Sequence, residues 1–255
     1  MDIAEIITLI LTVLLGLAVG SFLNVCIYRI PNHTFFSKAR SFCPNCKSEI
    51  KWYDNIPIFS YIFLNGKCRS CKQRISPIYP FVELLNLSLY LGIFFTYGAS
   101  FMTFIYYIVV STLIVMSFID LKSKEIPDTI HVIIIITALI SFAPIDSVSW
   151  QSKLIGMAAI SVPLLILAVI TNGIGGGDVK LFFALGLLLG WENILVAFLL
   201  SVILAGIAGI AILVVKKKEG KKYELPFGPF IAVGAYISIL CGEQLINCYI
   251  SLFML

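Results

Sequence analysis

Two aspartates and four cysteines are the residues whose types and spacing could do chemistry. Asp120 opens the stretch Asp120-Leu-Lys-Ser-Lys-Glu-Ile-Pro-Asp128, and Asp178 closes Gly175-Gly176-Gly177-Asp178 just before Val179 and Lys180. Two carboxylates a few ångströms apart cannot both ionise easily. One keeps a proton while the other acts as a base on water, as in aspartic proteases. The glycines before Asp178 allow positive φ and a close approach by an extended peptide. Taken singly, each acid has a plainer reading. Asp120 would be a loop charge paired with Lys124, and Asp178 or Asp128 would cap the helix that follows.

The cysteines form two pairs, Cys43-Pro-Asn-Cys46 and Cys68-Arg-Ser-Cys71. Each pair can hold a metal ion from a tight knuckle, and two knuckles complete the tetrahedral four-thiolate site that zinc prefers. The gap between pairs is slightly longer than in the usual zinc ribbon. Lys47, Lys67, Arg69 and Lys72 would favour the thiolates. A structural zinc clip for a domain too small to fold alone is the preferred reading over redox or catalytic thiols. Cys26, Cys241 and Cys248 lie in or beside apolar runs and read as small hydrophobes.

Composition says what must position these groups. Of 255 residues, 60% are hydrophobic and only 13% charged, with a mean hydropathy of +1.01. A soluble domain carries about a quarter charged residues. This excludes a disordered chain and argues against an ordinary soluble enzyme, leaving a bilayer as the natural solvent. Eight apolar segments are expected to be helices, near 6–28, 80–98, 101–119, 129–143, 154–172, 179–192, 194–215 and 229–250. The expected fold is therefore an all-α polytopic membrane protein with about eight transmembrane helices. Its parts are a first helix over 1–28, a small cytoplasmic zinc-ribbon-like domain over 29–79, and a membrane domain over 80–255.

The first segment has Asp2 and Glu5 where a signal peptide carries basic residues, so it reads as a retained helix with its N-terminus outside. The inner loops then hold 9, 2, 1 and 5 Lys and Arg, or 17 of the 18 in the chain, and only Lys153 lies elsewhere. That asymmetry is what the positive-inside rule expects. Both termini fall outside, and Asp120 and Asp178 fall at similar depth on the cytoplasmic side. They can therefore meet although 58 positions separate them. The basic run Lys216–Lys222 reads as an anchor against anionic lipid.

Taken in order, these residues resemble the type IV prepilin peptidases, membrane enzymes of the GxGD aspartic protease group. The resemblance covers nearly the whole chain. It includes Gly20-Ser21-Phe22-Leu23-Asn24-Val25 with Tyr28-Arg29, the two cysteine pairs, Asn55-Ile56-Pro57 and Tyr79-Pro80-Phe81-Val82-Glu83. It continues through Asp120, Ile126-Pro127-Asp128, Gly175–Lys180 and Pro226-Phe227-Gly228-Pro229. It implies a bacterial inner-membrane enzyme that removes the basic leader of prepilins or pseudopilins at the cytoplasmic face, with Asp120 and Asp178 as the catalytic pair. Gly175, Gly176, Gly177 and Lys180 would position the substrate. It also implies S-adenosylmethionine-dependent methylation of the new N-terminal amine, associated with residues 29–79.

Glu83 and Asn24, polar positions at inner helix ends, are candidates for that second step or are simply buried hydrogen-bonding groups. The expected partners are prepilin or pseudopilin substrates and the lipid bilayer, with no nucleic acid. Two other classes compete: a transporter using the acids as a proton or cation relay, and a membrane scaffold docking through its zinc ribbon. No inverted repeat supports the first, and the second has no use for the acids.

Overall fold

The computed structural model describes residues 3–34, 41–142, 148–171, 173, 175–220 and 225–253, with backbone alone for 216–220 and 253. The expected roles of Asp2 and the basic run 216–222 lie outside the described side chains. The described residues are helical, with no strand beyond two isolated bridges. Nine α-helices are described: α1 (Ile3–Arg29), α2 (Phe59–Phe63), α3 (Ile78–Tyr97), α4 (Phe101–Ser123), α5 (Asp128–Ile140), α6 (Trp150–Ala159), α7 (Ser161–Thr171), α8 (Gly176–Gly220) and α9 (Gly228–Phe253). Six of the described spans are long and apolar enough to cross a membrane, α6 and α7 counting as one, and α5 is a shorter apolar helix. Wide apolar faces point outward, such as Ile6, Ile7, Ile10 and Leu14 on α1. That is the surface a bilayer covers.

The chain forms two compact units, Met1–Val115 and Met116–Leu255. In the first, α1 lies close against α3 because Gly16 and Gly20 present no side chain there. A Cβ on Gly20 would sit 2.8 Å from the Glu83 Cα, and one on Gly16 3.2 Å from the Leu87 Cα. Small residues four apart are the usual means of bringing helices together in lipid, where hydrophobicity drives no association. A polar chain then ties three helices. Asn86 Nδ2 donates to the Gly16 carbonyl at 2.8 Å, Ser111 Oγ donates to Asn86 Oδ1 at 3.0 Å, and Tyr90 meets Ser111 at 2.9 Å. Tyr90 also stacks on Tyr107, with ring centroids 3.9 Å apart.

In the second unit, α8 has 45 residues, about twice what a 30 Å hydrocarbon core needs. It is not one rod. Gly190 takes φ +79°, a left-handed conformation that a continuous right-handed helix cannot contain. In a straight helix Phe182 and Phe198 would stand about 24 Å apart, yet their ring centroids are 5.5 Å apart. The chain therefore folds back at Gly190, which restores the two expected segments near 179–192 and 194–215. Trp191 N–H, released at the bend, donates to Ser152 Oγ at 3.2 Å. A Cβ on Gly190 would strike that same hydroxyl at 2.6 Å.

The division between α6 and α7 follows from Pro163, whose ring displaces the carbonyl four residues back and removes a hydrogen bond. Gly156 crosses the first arm of α8 so closely that a Cβ there would lie 2.6 Å from the Gly186 carbonyl. Lys153, the one basic residue outside the loops expected to be inner, is only 1% exposed. Its Nζ donates to the Ser141 carbonyl at 2.9 Å and Oγ at 2.7 Å. It thus serves the C-terminal carbonyls of α5, where a cation is favoured.

Candidate active site

The acidic pair lies wholly within the second unit. Asp120 is not at the end of its helix, as the sequence suggests, but one turn inside it, since α4 continues to Ser123. It is 5% exposed. Its Oδ2 accepts a hydrogen bond from the Gly228 N–H at 2.9 Å. Gly228 is the first residue of α9, where backbone N–H groups lack partners inside the helix and favour an anion. Only glycine fits there, because a Cβ would stand 2.7 Å from both Asp120 Oδ2 and Met116 Sδ. Pro226-Phe227-Gly228-Pro229 therefore delivers a bare N–H to the first acid.

Asp178 is the third residue of α8. Its N–H donates to the Gly175 carbonyl at 3.1 Å. It lies near enough to Asp120 for the two charges to oppose one another. The two acids thus meet across the bundle. A Cβ on Gly175 would sit 3.1 Å from Asp178 Oδ2, and one on Gly177 would sit 3.2 Å from the Ile126 Cβ, whereas Gly176 faces open space. Asp128 is the first residue of α5 and makes no cap, because Pro127 holds the cap position without a side-chain bond. Instead it accepts from Lys180 Nζ at 2.7 Å. Lys180 thus points to Asp128. His131, which the sequence reading passed over as part of an apolar run, bonds the Gly177 carbonyl through Nε2 at 3.0 Å.

The first unit holds the cysteines. Their four sulfurs all lie within 4.8 Å of one another, with Cys43 and Cys71 Sγ 3.9 Å apart. A tetrahedral zinc with bonds of about 2.3 Å requires sulfurs about 3.8 Å apart, so the donor set fits. The knuckles repeat each other. Cys43 N–H donates to the Ser48 carbonyl and Cys68 N–H to the Gln73 carbonyl. Lys47 and Lys72 each turn the chain with φ near +60°, at +61° and +59°. The Ser48 hydroxyl and then its N–H pull the Cys46 thiol down to about 6. The backbone N–H groups of Cys71 and Ser70 also lower that of Cys68. At Cys46 and Cys68 such bonds favour the thiolate that a metal needs. Outside the knuckles, Arg69 grips Asp54 with two bonds, at 2.7 and 2.6 Å.

A cavity of about 390 Å³ lies between this ribbon, the C-terminal end of α1 and the N-terminal end of α3, lined among others by Ser21, Asn24, Arg29, Tyr79 and Glu83. Glu83 Oε2 accepts from the Ile58 N–H at 2.7 Å. Ile58 itself takes φ +63°, a costly conformation for a β-branched residue. Asn24 spends its amide protons on the Gly20 and Tyr79 carbonyls, at 3.4 and 3.1 Å. It braces α1 against α3. No short pattern in the sequence marks either Ile58 or His131, because both contacts come from tertiary folding.

Two family models match the chain: the Bacterial Peptidase A24 N-terminal domain over residues 14–97 and the Type IV leader peptidase family over residues 107–210. Among curated proteins, a prepilin leader peptidase/N-methyltransferase of Bacillus subtilis (strain 168) is 36% identical, over 93% of this chain and 96% of that protein. Proteins of the same name from Neisseria gonorrhoeae and Aeromonas hydrophila are 34% and 30% identical. They cover 92% and 96% of this chain, and 91% and 94% of their own lengths. No solved structure matches. The transporter reading of the acidic pair draws no support from these matches. With relatives this similar along nearly its full length, and with both family models in register on it, the chain belongs to the type IV leader peptidase family.

Proposed function

We propose that this protein removes the leader peptide from type IV prepilins or pseudopilins at the cytoplasmic face of the bacterial inner membrane, and then methylates the exposed amine. One observation carries the first half: Asp120 and Asp178, distant in sequence, share one site at the ends of α4 and α8. The concentration of basic residues in the inner loops supports the orientation, with both termini outside.

Asp120 and Asp178 share one proton and bind one water. The Gly228 N–H occupies Asp120 Oδ2, so the shared proton sits away from that oxygen. Asp120 takes a proton from the water as it attacks the scissile carbonyl. Asp178, protonated, supports the developing oxyanion and then protonates the leaving amine. Gly175, Gly176 and Gly177 leave room for the substrate backbone. Lys180 acts on this turn through Asp128 rather than by touching substrate.

For the second half, the cavity beside the ribbon has the volume of a small-molecule site. S-adenosylmethionine would supply the methyl group there. Glu83 is the group suited to orient the new amine and take its proton, since only the neutral amine can accept a methyl, and Asn24 keeps the helices that form the cavity together. The four cysteines would hold a structural zinc that shapes one wall. Mass spectrometry of a co-expressed substrate's N-terminus tests both halves. Leader loss with a gain of one methyl is expected from the wild type, and an intact leader from Asp120→Asn and Asp178→Asn. Full cleavage by either variant would remove the dyad from the mechanism.

A further inference from the structure

His131 is 4% exposed, inside the second unit and next to the turn that carries Asp178. Its Nε2 lies 3.0 Å from the Gly177 carbonyl oxygen. A carbonyl only accepts, so Nε2 carries the proton and a neutral ring leaves Nδ1 as an acceptor. Nδ1 is buried without a hydrogen bond, and the carboxylate of Asp128 stands 3.6 Å away. A buried polar atom without a partner is destabilising. An aliphatic side chain would avoid that cost, so the histidine is not explained by packing alone. Its distinctive contribution is the N–H it aims at Gly177.

Two further contacts converge on the same turn. Ile126 lies against the Gly177 Cα, so closely that a Cβ would meet it at 3.2 Å. Asp128 holds Lys180 at 2.7 Å, one turn along. That ion pair is solvent-exposed and therefore weak. The buried histidine is the stronger restraint. Segment 126–131 thus grips residues 177–180 from one side, leaving Asp178 aimed by a backbone that is fixed at its neighbour.

We propose that His131 is a positioning residue for peptide cleavage: by holding the Gly177 carbonyl it fixes the glycine turn that directs Asp178 toward Asp120. The proposal rests on Asp178 being catalytic. It concerns the placement of an acid rather than substrate binding, so its signature is a loss in kcat with KM nearly unchanged. A displacement of about 1 Å at a reacting group can cost about 100-fold in rate.

The test uses the full chain purified in detergent and a prepilin substrate, with kcat, KM and the melting temperature measured for each variant. His131→Leu should lower kcat about 10- to 100-fold with KM changed less than about threefold. His131→Gln, whose amide nitrogen stands about where Nε2 does, should recover most of the loss. Wild-type kcat in His131→Leu would overturn the proposal. So would a loss confined to KM, or equal loss in both variants in step with the melting temperature. Asp178→Asn is run alongside. If it cleaves normally the dyad itself is wrong, and if it is inactive while His131→Leu is normal, only the role of His131 is wrong.

Discussion

The cysteine ribbon and the aspartate site achieve convergence by opposite means. The ribbon collects four thiols from a stretch of 29 residues, Cys43 to Cys71, on two short turns that repeat one geometry. Each knuckle is nearly complete in its own sequence. The aspartate site takes one acid from α4, another from α8 after a glycine turn, and a backbone N–H from α9, 108 positions beyond Asp120. No part of it is local. A site written in one short stretch tolerates changes elsewhere in the fold. A site assembled from three helix ends depends on every crossing that holds those ends at one level.

The largest expected effect tests the independence of the two regions. Asp120→Asn and Asp178→Asn should each lower cleavage by at least about 1,000-fold while methylation of a pre-cleaved substrate continues. Parallel loss of both activities would show the regions to be one machine. Next, Gly228→Ala should reduce cleavage about 100-fold by pushing a methyl onto Asp120. Gly206→Ala, where a Cβ meets nothing within 4 Å, should be indistinguishable from wild type in the same assay.

Cys68→Ser should release the zinc, measured by metal analysis of the purified protein. It should lower methylation at least about tenfold and leave cleavage within about threefold, since the ribbon's order depends on the metal. Equal damage to cleavage would erase the contrast. Gly156→Val should destabilise the second unit by about 1–3 kcal/mol through overpacking against Gly186, seen as a lower melting temperature. The smallest effect belongs to Asp54→Ala, which removes the ion pair with Arg69 on the ribbon. It should cost under about 1 kcal/mol, read as a small shift in the same melt.

The sequence made the ribbon nearly legible, because CxxC spacing is itself geometry. It also exposed the apolar segments, because length and hydropathy are all that a bilayer asks of a helix. The bend at Gly190 was legible only as a gap between two runs. The left-handed residue that makes it a reversal, and the Ser152 hydroxyl that receives the freed Trp191 N–H, come from packing with α6. Asp120 and Asp178 were legible as acids at one depth, but Gly228 as the partner of Asp120 was not. Pro226-Phe227-Gly228-Pro229 reads either as lining the mouth of the site or as a rigid entry to the last helix, and nothing in the pattern says what the Gly228 N–H faces. Asp128 shows the same limit. Its place after Ile-Pro reads as a cap, yet the described fold turns it to Lys180. Asn24 reads as a methylation candidate or, the favoured reading, as a buried hydrogen-bonding group, and its amide bonds the Gly20 and Tyr79 carbonyls.

The amide of Gly228 on Asp120 also bears on how the protein is made. Synthesis runs from the N-terminus, so both aspartates leave the ribosome before residue 228 does. A half-finished chain in the membrane carries the two acids but lacks the strut that seats the first of them. On the proposed mechanism, a chain that stops short of residue 228 would seat Asp120 without that bond, and its cleavage should fall at least as far as in Gly228→Ala.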